Sequence, residues 1–182
     1  MGRVEIRIAG FGGQGIVLTG QILGQAASIY DKGFATLTQS YGPESRGGAC
    51  TAEVVASDKP IDYPYVQTPK ILVVLSQEAY TKYAQNPAKG TLLIIDSDLV
   101  KPDSSYNPAP LAMPATRMAR EMGRPVVANI IMLGFLAAVS DLVSTEALRK
   151  SILASVPKGT EELNMKAFEL GYDYGSKHRN RS

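Results

Sequence analysis

Arg7-Ile-Ala-Gly-Phe-Gly-Gly-Gln-Gly-Ile16 decides how the rest of the chain is read. A short apolar strand, Val4 to Ala9, runs into a glycine-rich turn, and a helix is expected to begin near Gln14. Gly10, Gly12 and Gly15 satisfy G-x-G-x-x-G, and Gly13 adds a further glycine. So tight a turn needs residues without Cβ, for unusual φ and for close backbone approach. It aims free N–H groups and the positive end of a helix at one spot, which suits an anion. The spacing is that of a dinucleotide-binding βαβ unit.

Outward from the turn, the pattern departs from that unit. In the first strand Val4, Ile6 and Ile8 point one way and Arg3, Glu5 and Arg7 the other, so the charged face is read as an exposed strand start or as a surface covered by a partner. A helix is expected to about Asp31, with Gln14, Gln21, Gln25, Ser28 and Lys32 on a polar stripe. Leu18, Ile22, Ala26 and Ile29 take the apolar side, and Gly33 reads as the residue past the helix end. Phe34 to Gln39 reads as the second strand. A dinucleotide fold would place a ribose-binding acid there, and the chain offers Thr38 and Gln39. Next comes Gln39-Ser-Tyr-Gly-Pro-Glu-Ser-Arg-Gly-Gly48, a loop with tight ends that carries Glu44, Ser45, Arg46 and Gly47. A polar loop with glycine hinges suits function better than plain connection, with a local Glu44–Arg46 ion pair as the bland reading. Cys50 to Ser57 then alternates as a half-buried strand, so this region is an antiparallel excursion.

Asp58 to Pro69 holds three prolines and reads as an ordered crossing loop. Ile71 to Leu75 and Thr91 to Ile95 are apolar runs suited to buried parallel strands. Ser76 is placed to cap a helix to about Ala84. Asp96 and Asp98 stand at a strand end where α/β sheets bind ligands, with capping of the next turn as the favoured role. Lys101 to Pro114 reads as loop, followed by a helix over Ala115 to Met122 and a short edge strand over Val126 to Ala128. Asn129 is assigned as the cap of a helix to Val139 that is apolar nearly all round, hence buried or at a subunit interface. Helices over Thr145 to Val156 and Glu161 to Lys177 finish the chain, with a basic tail. The whole is expected to be a single domain over residues 1–182, with a three-layer α/β/α, Rossmann-like architecture and a mostly parallel sheet.

Composition narrows the chemistry. The 182 residues carry a net charge of +2, too little for a nucleic-acid face. One cysteine, Cys50, excludes an internal disulfide and an iron–sulfur cluster held by this chain alone. With one histidine, His178 in the tail, there is almost no material for a Ser-His-Asp or Cys-His mechanism, and as little for a zinc site. No catalytic residue and no metal ligand is assigned. No apolar run reaches the roughly 18 residues that span a bilayer. Arg3, Glu5 and Arg7 break up any signal pattern, so a cytoplasmic location is expected.

The glycine turn, the long helix and the Gln39-to-Gly48 loop together resemble the gamma subunit of 2-oxoacid:ferredoxin oxidoreductases. Asp58-Lys-Pro-Ile-Asp-Tyr-Pro64, Leu75-Ser-Gln-Glu-Ala-Tyr80 and Ala128-Asn-Ile-Ile-Met-Leu-Gly134 continue the likeness over essentially the whole chain. The Ser40-to-Gly48 wording is most similar to the 2-oxoglutarate branch, with the pyruvate and indolepyruvate branches open. The resemblance implies a complex that converts a 2-oxoacid, coenzyme A and oxidised ferredoxin to acyl-CoA, carbon dioxide and reduced ferredoxin. It implies thiamine diphosphate, Mg2+ and iron–sulfur clusters in other subunits, which carry the chemistry. It also implies alpha and beta (thiamine diphosphate-binding) partners, with a ferredoxin-like delta subunit as a further candidate. This chain would be an accessory subunit, inactive and self-associating when isolated. Helix Asn129 to Val139 and the Tyr63-Pro-Tyr65 loop are the candidate contact surfaces. Gly10, Gly12, Gly13, Gln14, Gly15, Glu44, Ser45, Arg46 and Gly47 are the candidate binding residues, for coenzyme A or for a carboxylate of the thiamine subunit. A free-standing NAD(P)-dependent enzyme and a non-enzymatic nucleotide- or anion-binding module are the alternatives.

Overall fold

A computed structural model describes residues 2–41, 49–103 and 108–179. Its six strands are β1 (Val4–Phe11), β2 (Phe34–Tyr41), β3 (Ala49–Ser57), β4 (Ile71–Val74), β5 (Leu92–Asp96) and β6 (Leu111–Met113). They form one sheet in the order β2-β3-β1-β4-β5-β6. β1, β4, β5 and β6 run parallel, while β3 lies antiparallel between β1 and β2. The mostly parallel sheet with an antiparallel excursion is thus observed. β6 falls in a segment expected to be all loop. Three residues between Pro110 and Pro114 suffice to pair with β5, and the prolines stop the strand from growing.

Helices cover the two faces unequally. Below the sheet lie α1 (Ile16–Gln25), α3 (Ala115–Glu121), α4 (Ala128–Val139), α5 (Thr145–Ser155) and α6 (Glu161–Arg179), over a core built on Ile6, Ile8, Val54, Val73 and Ile94. Above it lies α2 (Gln77–Tyr83), whose Tyr80 packs with Leu72, Val74, Leu93 and Ile95. Ser76 Oγ accepts the Ala79 N–H at 3.2 Å, the cap assigned from sequence. β1's charged face is paired within the chain: the crossing segment after β3 meets Arg3 and Glu5, and Arg7 donates to Glu53 Oε1 of β3 at 2.7 Å. Arg3 donates to the Tyr63 and Tyr65 carbonyls at 2.7 and 3.0 Å and pairs with Glu5 at 2.8 Å. Glu5 Oε2 accepts the N–H groups of Gln67 and Thr68, both at 2.7 Å. Burial pushes the Glu5 carboxyl up, but the bonds from Thr68, Arg3 and Gln67 outweigh it, and the net shift is downward. β3, between β2 and β1, is buried along nearly its whole length rather than alternately.

α1 does not run straight to Asp31. Ala26–Tyr30 forms a π turn, in which the Asp31 N–H reaches Ala26 O at 2.9 Å. The extra residue in that turn rotates the face, so Ile29, expected on the apolar side, is 62% exposed. The left-handed residue past the helix end is Lys32 (φ 57°), not Gly33. Gly33 is small for another reason: a Cβ there would lie 2.9 Å from Ser57 O.

α4 is buried from Asn129 to Ala138 within this chain, so it is not the contact surface expected of it. Its neighbour α6 lies backbone to backbone with it. A Cβ on Gly134 would overlap Phe168 O, and one on Gly171 would overlap Ile131 O. Val126 to Ala128 is not a strand: Pro125–Val127 is a 3₁₀ turn leading into α4. His178 lies within α6 rather than in a tail, 5.1 Å from the Tyr174 ring and 5.9 Å from that of Phe135. No helix among the described residues is long and apolar enough to cross a membrane.

Candidate functional site

The glycine turn joins β1 to α1 at the C-terminal edge of the parallel strands. Gly13 and Gly15 have φ of 97° and 71°, which other residues rarely adopt. Gln14 sits between them and folds back into the turn. Its Oε1 accepts the Phe11 N–H at 2.6 Å, and its Nε2 donates to Leu75 O at 2.8 Å. One side chain thereby ties the end of β1 to the residue that follows β4. α1 leaves β1 for the lower face and α2 leaves β4 for the upper, so this junction is the switch point of the sheet. A small cavity of about 120 Å³ remains there, bounded by Gly13, Gln14, Leu75, Asp96, Thr116 and Asn129.

Two of the fingerprint glycines serve these neighbours. A Cβ on Gly10 would overlap Gln14 Oε1, and one on Gly15 would overlap Asn129 Nδ2. Asn129 lies inside the first turn of α4 and does not cap it; Val127 holds the cap position. Its Nδ2 instead donates to Gly15 O at 3.4 Å and to Thr19 Oγ1 at 3.5 Å. In the sequence Asn129 reads as a cap. The signal that it does something else was available: it is the one side-chain amide in the apolar run Val126 to Val139. The Phe11 amide is taken by Gln14 and the Gln14 amide by Phe11 O, while the amides of Gly12, Gly13 and Gly15 meet no acceptor among the described residues.

Asp96 and Asp98 take the capping role. Asp96 Oδ1 accepts the Asp98 N–H at 3.0 Å, and Oδ2 accepts from Thr116 N at 3.0 Å and Oγ1 at 2.7 Å. Asp98 Oδ2 accepts the Arg117 N–H at 2.7 Å. Both carboxylates thus anchor the start of α3. Burial raises the Asp96 carboxyl above its ordinary range despite the bonds from Thr116 and Asp98. Among the described residues no three His, Cys, Asp or Glu are grouped to hold a metal ion.

Glu44, Ser45, Arg46 and Gly47 lie outside the described residues. Their flanks do not. Tyr41 and Gly10 both pair with Cys50, and Phe11 pairs with Ala49. Gln39 to Tyr41 belong to β2 rather than to the loop, and the described flanks of residues 42–48, Tyr41 and Ala49, lie at the edge that carries the glycine turn. The first two strands achieve this without pairing to each other, contrary to the parallel pairing a dinucleotide fold would give. β2 and β1 share a direction because each is antiparallel to β3. β3 also fills the place where the strand bearing a ribose-binding acid would lie, which removes the structural basis of the NAD(P) reading. Cys50, between the two, is buried, and burial raises its thiol, which leaves it a poor nucleophile.

Residues 5–174 match the family model described as pyruvate ferredoxin/flavodoxin oxidoreductase. The chain is 53% identical over 174 residues to the 2-oxoglutarate synthase subunit KorC of Methanocaldococcus jannaschii, covering 94% of this chain and 93% of that one. To the pyruvate synthase subunit PorC of the same organism it is 33% identical over 176 residues, covering 93% and 96%. The crystal structure of a keto/oxoacid ferredoxin oxidoreductase gamma subunit from Geobacter sulfurreducens superposes with a TM-score of 0.80 at 43% identity, covering 94% and 98%. A strand–turn–helix edge bridged by Gln14, the excursion through β3, and these likenesses over nearly full length agree: the chain belongs to the pyruvate ferredoxin/flavodoxin oxidoreductase family.

Proposed function

We propose that this 182-residue chain, as one domain, is the gamma subunit of a cytoplasmic 2-oxoglutarate:ferredoxin oxidoreductase. It acts with alpha and beta (thiamine diphosphate-binding) subunits and, as a further candidate, a ferredoxin-like delta subunit, with Mg2+ and iron–sulfur clusters in other subunits and ferredoxin as the electron acceptor of the complex. Support for the 2-oxoglutarate branch is the higher identity to the 2-oxoglutarate synthase subunit, 53% against 33% for the pyruvate synthase subunit. The chain's own part is structural and binding; it contributes no catalytic residue.

The binding site of this proposal comprises Gly10, Gly12, Gly13, Gln14 and Gly15 of the turn with Glu44, Ser45, Arg46 and Gly47 of the loop. The observation that carries it is the register of β3, which brings the loop's flanks Tyr41 and Ala49 to the level of Gly10 and Phe11. Roles within the turn differ. Gly10 and Gly15 give room to Gln14 and Asn129, while Gly12 and Gly13 present exposed N–H groups. The amides and the start of α1 suit an anionic group, a phosphate of coenzyme A or a carboxylate of the thiamine-binding subunit. Arg46 supplies a bidentate fork to the same group.

Arg46→Ala tests this. Loss of one charge-assisted contact costs about 1.5–3 kcal/mol, or roughly one to two decades in affinity. The complex reconstituted with the variant is expected to need that much more coenzyme A for half-maximal turnover, or to assemble in correspondingly lower yield. Wild-type values for both would reduce the loop to a connector.

A further inference from the structure

The two edges of the sheet are built differently. At one edge β6 has three residues and is bracketed by Pro110 and Pro114, a guarded edge. At the other, β2 pairs with β3 over eight consecutive residues, from Phe34↔Ser57 to Tyr41↔Cys50, with no bulge. Its outer side pairs with no strand among the described residues. Phe34-Ala-Thr-Leu-Thr-Gln-Ser-Tyr41 contains no charge, proline or glycine, so the strand itself carries none of the residues that guard an edge. Exposed apolar groups gather beside it. Phe34 (43%) and Tyr41 (62%) stand on the strand, and Ile29 (62%) on the π turn that precedes it. Tyr63 (48%) and Tyr65 (54%) project from the crossing segment, whose Pro64 carbonyl accepts from Thr36 Oγ1 at 3.0 Å. Their rings meet edge to face at 5.5 Å, over the carbonyls that Arg3 holds.

We propose that β2 is the seam of a homodimer, in which two copies pair their β2 strands antiparallel about a two-fold axis at Leu37. The occupant is a second copy because the strand is complementary to itself. A two-fold axis sets each strand against its own sequence, so any net charge along it would meet its like. Here Leu37 faces Leu37, Thr36 faces Thr38, Ala35 faces Gln39 and Phe34 faces Ser40. Every pair joins residues of one face, as antiparallel pairing requires. Leu37 and Ala35 extend the lower core layer, while the threonines and the Tyr63–Tyr65 loops of both copies meet above. This pairing is independent of the activity proposed above.

Sedimentation equilibrium and hydrogen exchange on the full chain decide it. A dimer is expected, with the amides of 34–41 exchanging more slowly as concentration rises. Thr38→Lys with Gln39→Lys sets four cations at the seam of the dimer, and the lysine at position 38 is tolerated within the sheet because it stands across from Glu53 on β3. This variant is expected to sediment at half the mass with an unchanged circular dichroism spectrum. Val126→Lys, at an exposed position away from the seam, is expected to leave the dimer intact. A wild-type monomer at the highest concentration reached would overturn the proposal. So would a dimer that survives both lysines in the folded variant, or one whose 34–41 amides exchange at the same rate at all concentrations. If the lysine variant does not fold, the wild-type exchange result alone decides.

Discussion

Gly15 must be glycine for two separate reasons. Its φ of 71° costs another residue about 1–2 kcal/mol, and its missing Cβ is the space that Asn129 Nδ2 occupies. Overpacking adds about 1–3 kcal/mol, so Gly15→Ala is expected to destabilise by roughly 2–5 kcal/mol in urea unfolding. Repeating it in an Asn129→Ala background removes the overlap and leaves the backbone cost, about 1–2 kcal/mol. Equal increments in both backgrounds would show that Asn129 is not the obstacle. Gly10 follows the same logic toward Gln14. The G-x-G-x-x-G spacing was legible in the sequence, as was the tight turn it makes. That two of its glycines answer to side chains of this chain was not, because Asn129 lies 114 residues from Gly15.

At the level of elements, the contact between α4 and α6 shows what glycine does when backbones touch. A Cβ on Gly171 would overlap the Ile131 carbonyl, and backbone cannot swing aside as a side chain can. Gly24, in α1, has nothing within 4 Å of its Cβ position. Alanine at the two sites is therefore expected to act with opposite sign. Gly171→Ala should lose about 1–3 kcal/mol or more by overpacking, and Gly24→Ala should gain about 0.5–1 kcal/mol from backbone entropy. Thermal and urea unfolding of both single variants check this; the same sign at both sites would refute it. The apolar run of α4 announced a buried helix, but periodicity alone did not say what buried it. The partner is α6, whose Gly171 and Gly175 lie one turn apart toward α4. The π turn after α1 was invisible in the sequence for a related reason. One residue added to a turn changes no composition, yet it rotates everything after it, and Ile29 ends in solvent.

For the whole molecule, the unequal layering sets the expectation. Five helices fill the lower face, while the upper face has α2 and a crossing segment pinned by Arg3 and Glu5. The chemistry proposed for the complex is assigned to its other subunits. The purified chain supplied with 2-oxoglutarate, coenzyme A, thiamine diphosphate and Mg2+ is accordingly expected to reduce no redox dye above background. Addition of the thiamine-binding and cluster-bearing subunits should restore reduction. Dye reduction by the chain alone would overturn the accessory role.

The sequence by itself determined the glycine turn, the buried parallel strands, the excursion through β3, the Ser76 cap and the capping carboxylates Asp96 and Asp98. All of these are local patterns, in which residues a few positions apart decide the backbone between them. Only the tertiary structure decided that β3 separates β1 from β2, that Gln14 spans from β1 to Leu75, and that Asn129 fills the space above Gly15. It also decided that α4 is sealed by α6, and that β2 is the outermost strand of the sheet. Each of these joins residues far apart in the chain. Hydrophobic periodicity records which face of an element is covered, but not which distant element covers it.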